Sequence, residues 1–197
     1  MAISNPNSAS TQRSITLNSY RKVGEWLSST LQPDSILDFG AGLGEGTRAL
    51  QQTNPEAEVF SYEPFPQGWD PDFRRSEDIP SSTFQAIVSL NVLNVLPRNI
   101  RDEVVVEIWD SLSPGGTAVI GVRGWSGDVG STKNFEPSDE EKSLLVKTKV
   151  KGKEELVFQK GFDKAEFLSY LQELLPEASI EFSKNAFAKV CCILNKR

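Results

Sequence analysis

The sequence contains no histidine and only two cysteines among its 197 residues. Without histidine there is no Ser–His or Cys–His nucleophile pair, and the commonest zinc ligand is missing. Cys191 and Cys192 are adjacent inside an apolar run, and such neighbours rarely pair with each other or form a metal cluster. We therefore expect both thiols to be buried and structural, and we predict no metal site.

Long apolar runs and an excess of positive charge are also lacking. No stretch approaches the roughly 20 apolar residues that a membrane-spanning helix needs, so we expect no membrane partner. Residues 1–16 are rich in Ser and Asn without the apolar core of a secretory signal. We interpret them as a flexible arm and expect a cytoplasmic location. The net charge of −6 argues against a nucleic-acid binder that uses its whole surface, but it leaves room for a local basic patch.

Residues 17–197 have the composition of a single globular domain, with 38% hydrophobic and 24% charged residues in the chain. Patterns typical of helices and strands alternate four times along residues 17–122. This alternation predicts an α/β fold, with a doubly wound, mostly parallel sheet covered on both faces. The predicted segments are a helix over 17–31, with Asn18 or Ser19 as its cap, strands over 35–39, 58–62, 83–90 and 117–122, and helices over 47–53 and 100–112.

The pattern changes at Gly124. An irregular loop is followed by two alternating strands around Lys151, Gly152 and Lys153, which predict a β-hairpin. We interpret 124–161 as an inserted loop and hairpin and as a candidate substrate lid. A helix over 163–175 with Asp163 as its cap comes next. Two final strands are separated by a short turn at 184–185, and we expect them to be antiparallel at one edge of the sheet.

A glycine-rich loop, read as ILDFGAGLGEGT over residues 36–47, connects the first strand to the next helix. Glycine allows a ligand to approach the backbone closely, and doubly wound folds bind ligands at this edge of the sheet. The spacing fits neither the dinucleotide motif G-x-G-x-x-G nor a phosphate loop, which would need a lysine. It is acid-x-Gly-x-Gly-x-Gly, formed by Asp38, Gly40, Gly42 and Gly44, and it favours a ligand with a cationic amino-acid end.

This spacing resembles the first motif of the class I, Rossmann-like S-adenosylmethionine (SAM)-dependent methyltransferases. Glu63 stands at the end of the second strand, where that family has an acid that binds the ribose hydroxyls, and a carboxylate suits two hydroxyl donors. The stretch IVSLNVLNVLP resembles the fourth motif, which would place Leu90 and Asn91 beside the cofactor. LSPGG and the final antiparallel pair also match. The resemblance covers about 17–194, except for the insertion.

The resemblance implies SAM as cofactor and methyl transfer to an unidentified acceptor, for which we favour a small molecule. We choose Asp78, or Glu77 beside it, for the adenine amino group because Arg75 occupies the family's usual acidic position. The family's third strand is unclear here, and we predict a loop with at most one very short strand. The expected cofactor-binding residues are Asp38, Gly40, Ala41, Gly42, Gly44, Glu63, Asp78, Leu90 and Asn91.

The acceptor chemistry is constrained mainly by exclusion. The fourth motif lacks the paired prolines of amino-methylating DNA enzymes, which disfavours adenine-N6 and cytosine-N4 methylation. Neither cysteine follows a proline, which excludes cytosine-C5 chemistry. No catalytic base is identifiable, and one is needed only if the nucleophile must first lose a proton. The absence of histidine therefore fits an amine, thiolate or carboxylate acceptor.

Alternatives remain open for the activity and for the acceptor side. The chain could be a SAM-binding but inactive regulatory or partner subunit, or an aminopropyltransferase-like enzyme, although Asn91 and Asn94 stand where such enzymes have acids. Asn94 could equally be a turn cap.

The hairpin lysines form either a basic lid over an anionic acceptor such as nucleic acid or, as we prefer, an edge that resists aggregation. These lysines are Lys142, Lys147, Lys149, Lys151, Lys153 and Lys160. Loop residues that either line an acceptor pocket or cover the core are Trp69, Phe73, Arg123, Trp125 and Phe162.

Overall fold

The structure is a computed structural model that describes residues 17–150 and 153–197. The arm predicted for residues 1–16, and Lys151 and Gly152 of the predicted hairpin turn, lie outside the described residues. Four helices and nine strands occur in the described part of the chain, in the order α1 (Leu17–Thr30), β1 (Ser35–Phe39), α2 (Glu45–Thr53), β2 (Glu58–Tyr62), β3 (Phe84–Leu90), α3 (Arg98–Ser111), β4 (Leu112–Val122), β5 (Phe135–Pro137), β6 (Ser143–Val150), β7 (Lys153–Lys160), α4 (Lys164–Leu174), β8 (Ser179–Phe182) and β9 (Val190–Asn195).

Six strands form the main sheet in the order β2-β1-β3-β4-β9-β8. The first four are parallel to one another. Strand β9 is antiparallel to both β4 and β8. The predicted mostly parallel sheet, with an antiparallel final pair of strands at one edge, is therefore confirmed, and β9 lies beside β4. The carboxyl ends of β1, β2, β3 and β4 share one edge, where doubly wound folds bind ligands.

Helices cover both faces of this sheet because side chains on its strands alternate in direction. Ile36 and Val88 belong to a core shared with α1 and α2. Leu37 and Ile87, the neighbouring residues, belong to the other core, shared with α3 and α4. Cys191 and Cys192 are free and buried, as predicted. Within the part of the chain that the structure describes, no helix is both long and apolar enough to cross a bilayer.

Strand β4 begins earlier than the sequence predicts. Its pairing with β3 passes from Phe84–Leu112 directly to Ala86–Thr117, so residues 113–116 face the single residue Gln85. Residues 113–116, which the sequence leaves between a predicted helix and a predicted strand, therefore form a bulge within β4. The predicted cap of α1 is also wrong. Because the helix already includes Leu17, Asn18 and Ser19 lie in its first turn and are not its cap.

The inserted region forms a second, three-stranded sheet in the order β5-β6-β7. The antiparallel pairing of β6 with β7 confirms the predicted hairpin. Strand β5 corrects the expectation of a purely irregular loop after Gly124, since three residues there add to the edge of β6. An isolated bridge joins Gly124 to Phe162, so the two ends of the insertion meet. Strand β7 packs against the short 3₁₀-helix Leu93–Val95 that follows β3, which places the insertion beside the ligand edge of the sheet.

Candidate functional site

The glycine loop after β1 is held in a conformation that few residues other than glycine adopt. Gly40, Gly42 and Gly44 have φ angles of +84°, +59° and +76°. The backbone N–H groups of Gly40 and Ala41 both donate to the carbonyl of Tyr62 at 2.9 Å, which ties the loop to the end of β2. The sequence therefore specifies a tight turn that is fixed at its start.

Glu63 lies directly against this loop. Its side chain is buried, and Oε2 accepts a hydrogen bond from the N–H of Gly42 at 2.8 Å. Oε1 accepts the N–H of Phe65 at 3.0 Å. Each carboxylate oxygen of Glu63 therefore holds one backbone N–H group. The structure thus brings together Glu63 and the glycine loop, as the sequence predicted, while ribose binding by Glu63 stays a prediction.

Asp38 lies beneath the loop, with 0% of its surface exposed. Its two oxygens accept hydrogen bonds from the hydroxyls of Tyr20 and Thr47, both at 2.8 Å. Burial raises the pKa of Asp38 to about 6, although the Thr47 and Tyr20 hydrogen bonds oppose this shift and the nearby Glu63 charge adds to it. Burial also raises the pKa of the Tyr20 hydroxyl. The carboxylate is therefore engaged inside the protein, where it supports the loop from below.

Tyr20 and Thr47 are residues of this site that the sequence did not identify. Tyr20 lies on the face of α1 that also carries Val23 and Leu27, and its ring is buried in the same core. The same ring packs against Gly46, where a Cβ would lie 2.5 Å from the ring. Spacing predicts burial, but it does not show which buried hydroxyl meets which acid. A tyrosine on an otherwise apolar helix face was the one available signal, since a buried hydroxyl usually finds a partner.

The ends of β3 and β4 form the other side of this edge. Leu90 is buried, and Asn91 adopts a φ of +61° while its N–H donates to the carbonyl of Gly121 at 2.8 Å. A Cβ on Gly121 would lie 2.7 Å from Leu90, which explains the glycine. Asn94 is 1% exposed, and its Oδ1 has no hydrogen-bond partner among the described residues. A buried amide of this kind differs from a simple exposed turn cap.

Asp78 and Glu77 lie in a short 3₁₀-helix, Ser76–Asp78, and both are exposed. Glu77 forms an ion pair with Arg75, the residue that replaces the expected acid. This pairing lowers the pKa of the Glu77 carboxyl. The assignment of Asp78 to the adenine amino group stays a prediction.

Most of the candidate acceptor residues have structural contacts. Phe73 packs against Phe60 and Phe84, with ring centroids 6.2 and 6.3 Å apart. Phe162 is buried and packs against Phe167 at 5.1 Å. These two rings therefore cover the core and do not serve primarily to line an acceptor pocket.

Arg123 and Trp125 lie where the insertion leaves β4. Nε of Arg123 donates to Asp128 at 3.0 Å, and another guanidinium nitrogen donates to Gln159 of β7 at 3.0 Å. Trp125 packs closely against Gly161, where an added Cβ would lie 2.6 Å from the Cα of Trp125. Both residues therefore fix the insertion to the end of β4.

The hairpin lysines whose side chains are described form ion pairs. Lys160, which is 3% exposed, lies 2.6 Å from Glu166 of α4. Lys142 lies 3.1 Å from the same carboxylate, and Lys147 lies 3.0 Å from Glu136. These pairs anchor the hairpin to the domain or join its strands, and they favour the structural interpretation over a basic lid.

No protein-family model and no curated protein matches this sequence. Solved structures do. A SAM-dependent methyltransferase from Clostridium acetobutylicum ATCC 824 gives a TM-score of 0.63 at 9% identity, over 92% of each chain. The SAM-bound amino pentose methyltransferase CalS10 from Micromonospora echinaspora gives 0.60 at 12% identity, over 96% of this chain and 95% of its own. The sugar N-methyltransferase KedS8 from Streptoalloteichus sp ATCC 53650 gives 0.60 at 14% identity, over 92% and 86%.

At these identities the likeness establishes the fold. The resemblance that the glycine motif suggested is thereby confirmed at the level of architecture, across almost the whole chain and including the antiparallel last strand.

Proposed function

Because the chain has the class I methyltransferase fold, we propose that it binds SAM and transfers the methyl group to a small molecule. The observation that carries this proposal is the contact of Glu63 with Gly42, which puts a buried carboxylate on the glycine loop at the carboxyl edge of the sheet. Hydroxyl donors on a ribose fit such an acceptor. A pyrophosphate does not, since two groups of like charge would meet in a buried site.

The residues present fit this cofactor in the following way. The glycine loop offers bare backbone, and a Cβ built on Gly42 would find no described atom within 4 Å. Leu90 and Asn91 would lie along the far side. Asp38 supports the loop from inside through Tyr20 and Thr47, so its contribution is to hold the loop and supply a buried negative charge. When bound, SAM supplies an already activated methyl carbon, so the protein's task is to align the acceptor.

For the acceptor we favour the amine of a small molecule. Two of the similar structures are named as a sugar N-methyltransferase and an amino pentose methyltransferase. The absence of histidine agrees with this choice, because an amine that is neutral at the working pH attacks without a strong base. The buried Asn94 lies on the 3₁₀-helix that touches the insertion. Its side-chain oxygen has no partner among the described residues and can accept from an N–H group.

Binding of S-adenosylhomocysteine (SAH) tests the cofactor assignment. We expect Glu63→Ala to weaken binding by about 1–3 kcal/mol, because two hydroxyls of the ligand lose their acceptor. Glu63→Gln should give a smaller loss, since one carbonyl oxygen remains. Isothermal titration calorimetry of each variant gives the dissociation constants.

Glu58→Ala is the matched control for these variants. Glu58 is an exposed carboxylate at the other end of β2, so its removal changes the net charge equally without touching the loop. Equal affinity of the Glu63 and Glu58 variants for SAH would remove Glu63 from the site. If the wild-type chain fails to bind SAH at all, the cofactor assignment is wrong.

Turnover with a panel of amino sugars, other small amines, thiols and carboxylates tests the second half of the proposal. Transfer of label from methyl-labelled SAM to any of them would establish the activity. Firm SAH binding with no transfer to the amine, thiol or carboxylate members of the panel would instead favour an inactive SAM-binding subunit. Aminopropyl transfer needs decarboxylated SAM as the donor and releases methylthioadenosine, so a parallel reaction with that donor, followed by mass spectrometry of the acceptor, tests this alternative.

A further inference from the structure

The segment between β2 and β3 is a closed loop and not a strand. Residues 63–73 begin and end next to β2, because the N–H of Glu63 donates to the carbonyl of Phe73 at 3.1 Å and the N–H of Phe73 donates to that of Ser61 at 2.9 Å. Asp72 accepts two further bonds from Ser61, at 2.8 and 2.7 Å. A compact loop of this length with adjoining ends is an Ω-loop. It contains three prolines, which limit its backbone freedom: Pro64, Pro66 and Pro71.

The far part of this Ω-loop returns to the glycine loop through Trp69. The indole N–H donates to the carbonyl of Gly42 at 2.9 Å. The face of the ring lies against Gly44, where a Cβ would come within 3.2 Å of three ring atoms. Glu63, at the base of the same Ω-loop, holds the N–H of Gly42. Both polar backbone groups of Gly42 are therefore bound by one neighbouring segment.

This contact covers one flank of the glycine loop and leaves the other accessible. The indole occupies the space beside Gly44, whereas among the described residues no atom lies within 4 Å of a Cβ built on Gly42. A ring that competed with a ligand would be expected to fill the space beside Gly42. Trp69 instead lies where it can hold the loop, and apart from Gly42 and its neighbours Ala41 and Leu43 no described residue fills that space.

Holding the loop matters because of its composition. Three glycines at positive φ lose more conformational freedom on ordering than any other residues would. If the loop is already ordered before the ligand arrives, binding does not have to overcome this loss of conformational entropy. Bonds to both sides of Gly42 give that order in the ligand-free protein.

We infer that Trp69 is a positioning residue that fixes the glycine loop in its ligand-binding conformation. The inference rests on the proposed function for the identity of the ligand, but the contact itself is a property of the protein alone. Removing the side chain should therefore have two measurable effects. The loop should become more mobile without ligand, and SAH should bind less tightly.

Two variants separate the two parts of the contact. Trp69→Phe keeps an aromatic ring beside Gly44 and removes the N–H donor, and we expect it to raise the dissociation constant for SAH about threefold. Trp69→Ala removes both, and we expect about a tenfold increase. Trp26→Phe is the control, since Trp26 lies on α1 and its ring packs against Phe187. Calorimetry gives the affinities, and thermal unfolding shows whether each variant is folded.

Hydrogen exchange of the ligand-free proteins distinguishes failure of the inference from failure of the proposed function. Faster exchange of the amides of 40–46 in Trp69→Ala than in Trp26→Phe is the expected result. Unchanged exchange there, or SAH binding by Trp69→Ala as tight as or tighter than in the wild type, would overturn the inference. If wild-type protein does not bind SAH, the proposed function fails, and the exchange comparison still decides the role of Trp69. Should Trp69→Ala be unfolded, Trp69→Phe serves for both measurements.

Discussion

Replacement of Arg101 by methionine should lower the free energy of unfolding by about 3 kcal/mol, as expected when one partner of a buried ion pair is removed. Arg101 is 1% exposed and forms an ion pair with Glu140, the residue that leads into the hairpin. Its guanidinium also lies 5.2 Å from the ring centroid of Phe162 and 5.5 Å from that of Tyr170. The change therefore removes a charge partner and two cation–π contacts together.

The size of this effect is limited by two features. Glu140 keeps 24% of its side chain exposed, so water can partly solvate the carboxylate that loses its partner. Among the described residues Nε of Arg101 has no hydrogen-bond partner, so the wild-type protein already carries one unfavourable buried donor. Methionine fills much of the same volume, which keeps the loss of packing small. For these reasons we place the effect at the lower end of the range for buried pairs.

Arg98→Met provides the matched control on the same helix. Arg98 is about half exposed, pairs with Asp102 at 3.3 Å and lies 5.1 Å from the ring centroid of Tyr170. Exposed pairs contribute between zero and about 1 kcal/mol, so this variant should be nearly as stable as the wild type. Urea unfolding followed by circular dichroism gives both values. Similar stability of the two variants would show that Arg101 does not join the insertion to the domain.

The same cluster explains why the orientation of the insertion could not be predicted. Alternating side chains and a Lys-Gly-Lys turn are local signals, and they were sufficient to predict β6 and β7. The contacts that orient the hairpin are between distant parts of the chain, such as Arg101 with Glu140 and Lys142 with Glu166. Lysines in an alternating strand look alike in the sequence whether they face solvent or a buried acid.

For the glycine loop, the sequence predicted the parts that depend on spacing. The glycine loop follows one strand and the acid ends the next. They lie close together because parallel strands end at one edge of the sheet. Trp69 was only one of several loop aromatics, because the path of an irregular, proline-containing segment has no periodicity to follow. The direction in which the Asp38 side chain points could not be predicted either. Its position in the motif is clear, but its hydroxyl partners come from α1 and α2.

The pH dependence of stability should reveal the burial of Asp38. Its pKa in the folded protein is about 6, above the ordinary value of 3.8, so the native state binds this proton more tightly than the unfolded state does. A raised pKa of this kind contributes stability that is fully present below the unfolded value and is lost as the pH rises through the folded value. The ionised carboxylate is thus a cost to folding that the hydroxyls of Tyr20 and Thr47 offset only in part.

Asp38→Asn removes this titration and keeps nearly the same shape. Both neighbouring hydroxyls can rotate, so one can accept from the new amide while the other donates to its oxygen. Relative to the wild type, we expect the free energy of unfolding of the variant to rise by about 2 kcal/mol between about pH 4.5 and about pH 7.5. Urea titrations at a series of pH values measure this difference. Asp110→Asn, which removes an exposed carboxylate on α3, controls for the loss of one negative charge. A difference between Asp38→Asn and wild type that is constant with pH would mean that the pKa of Asp38 is not raised in the folded protein.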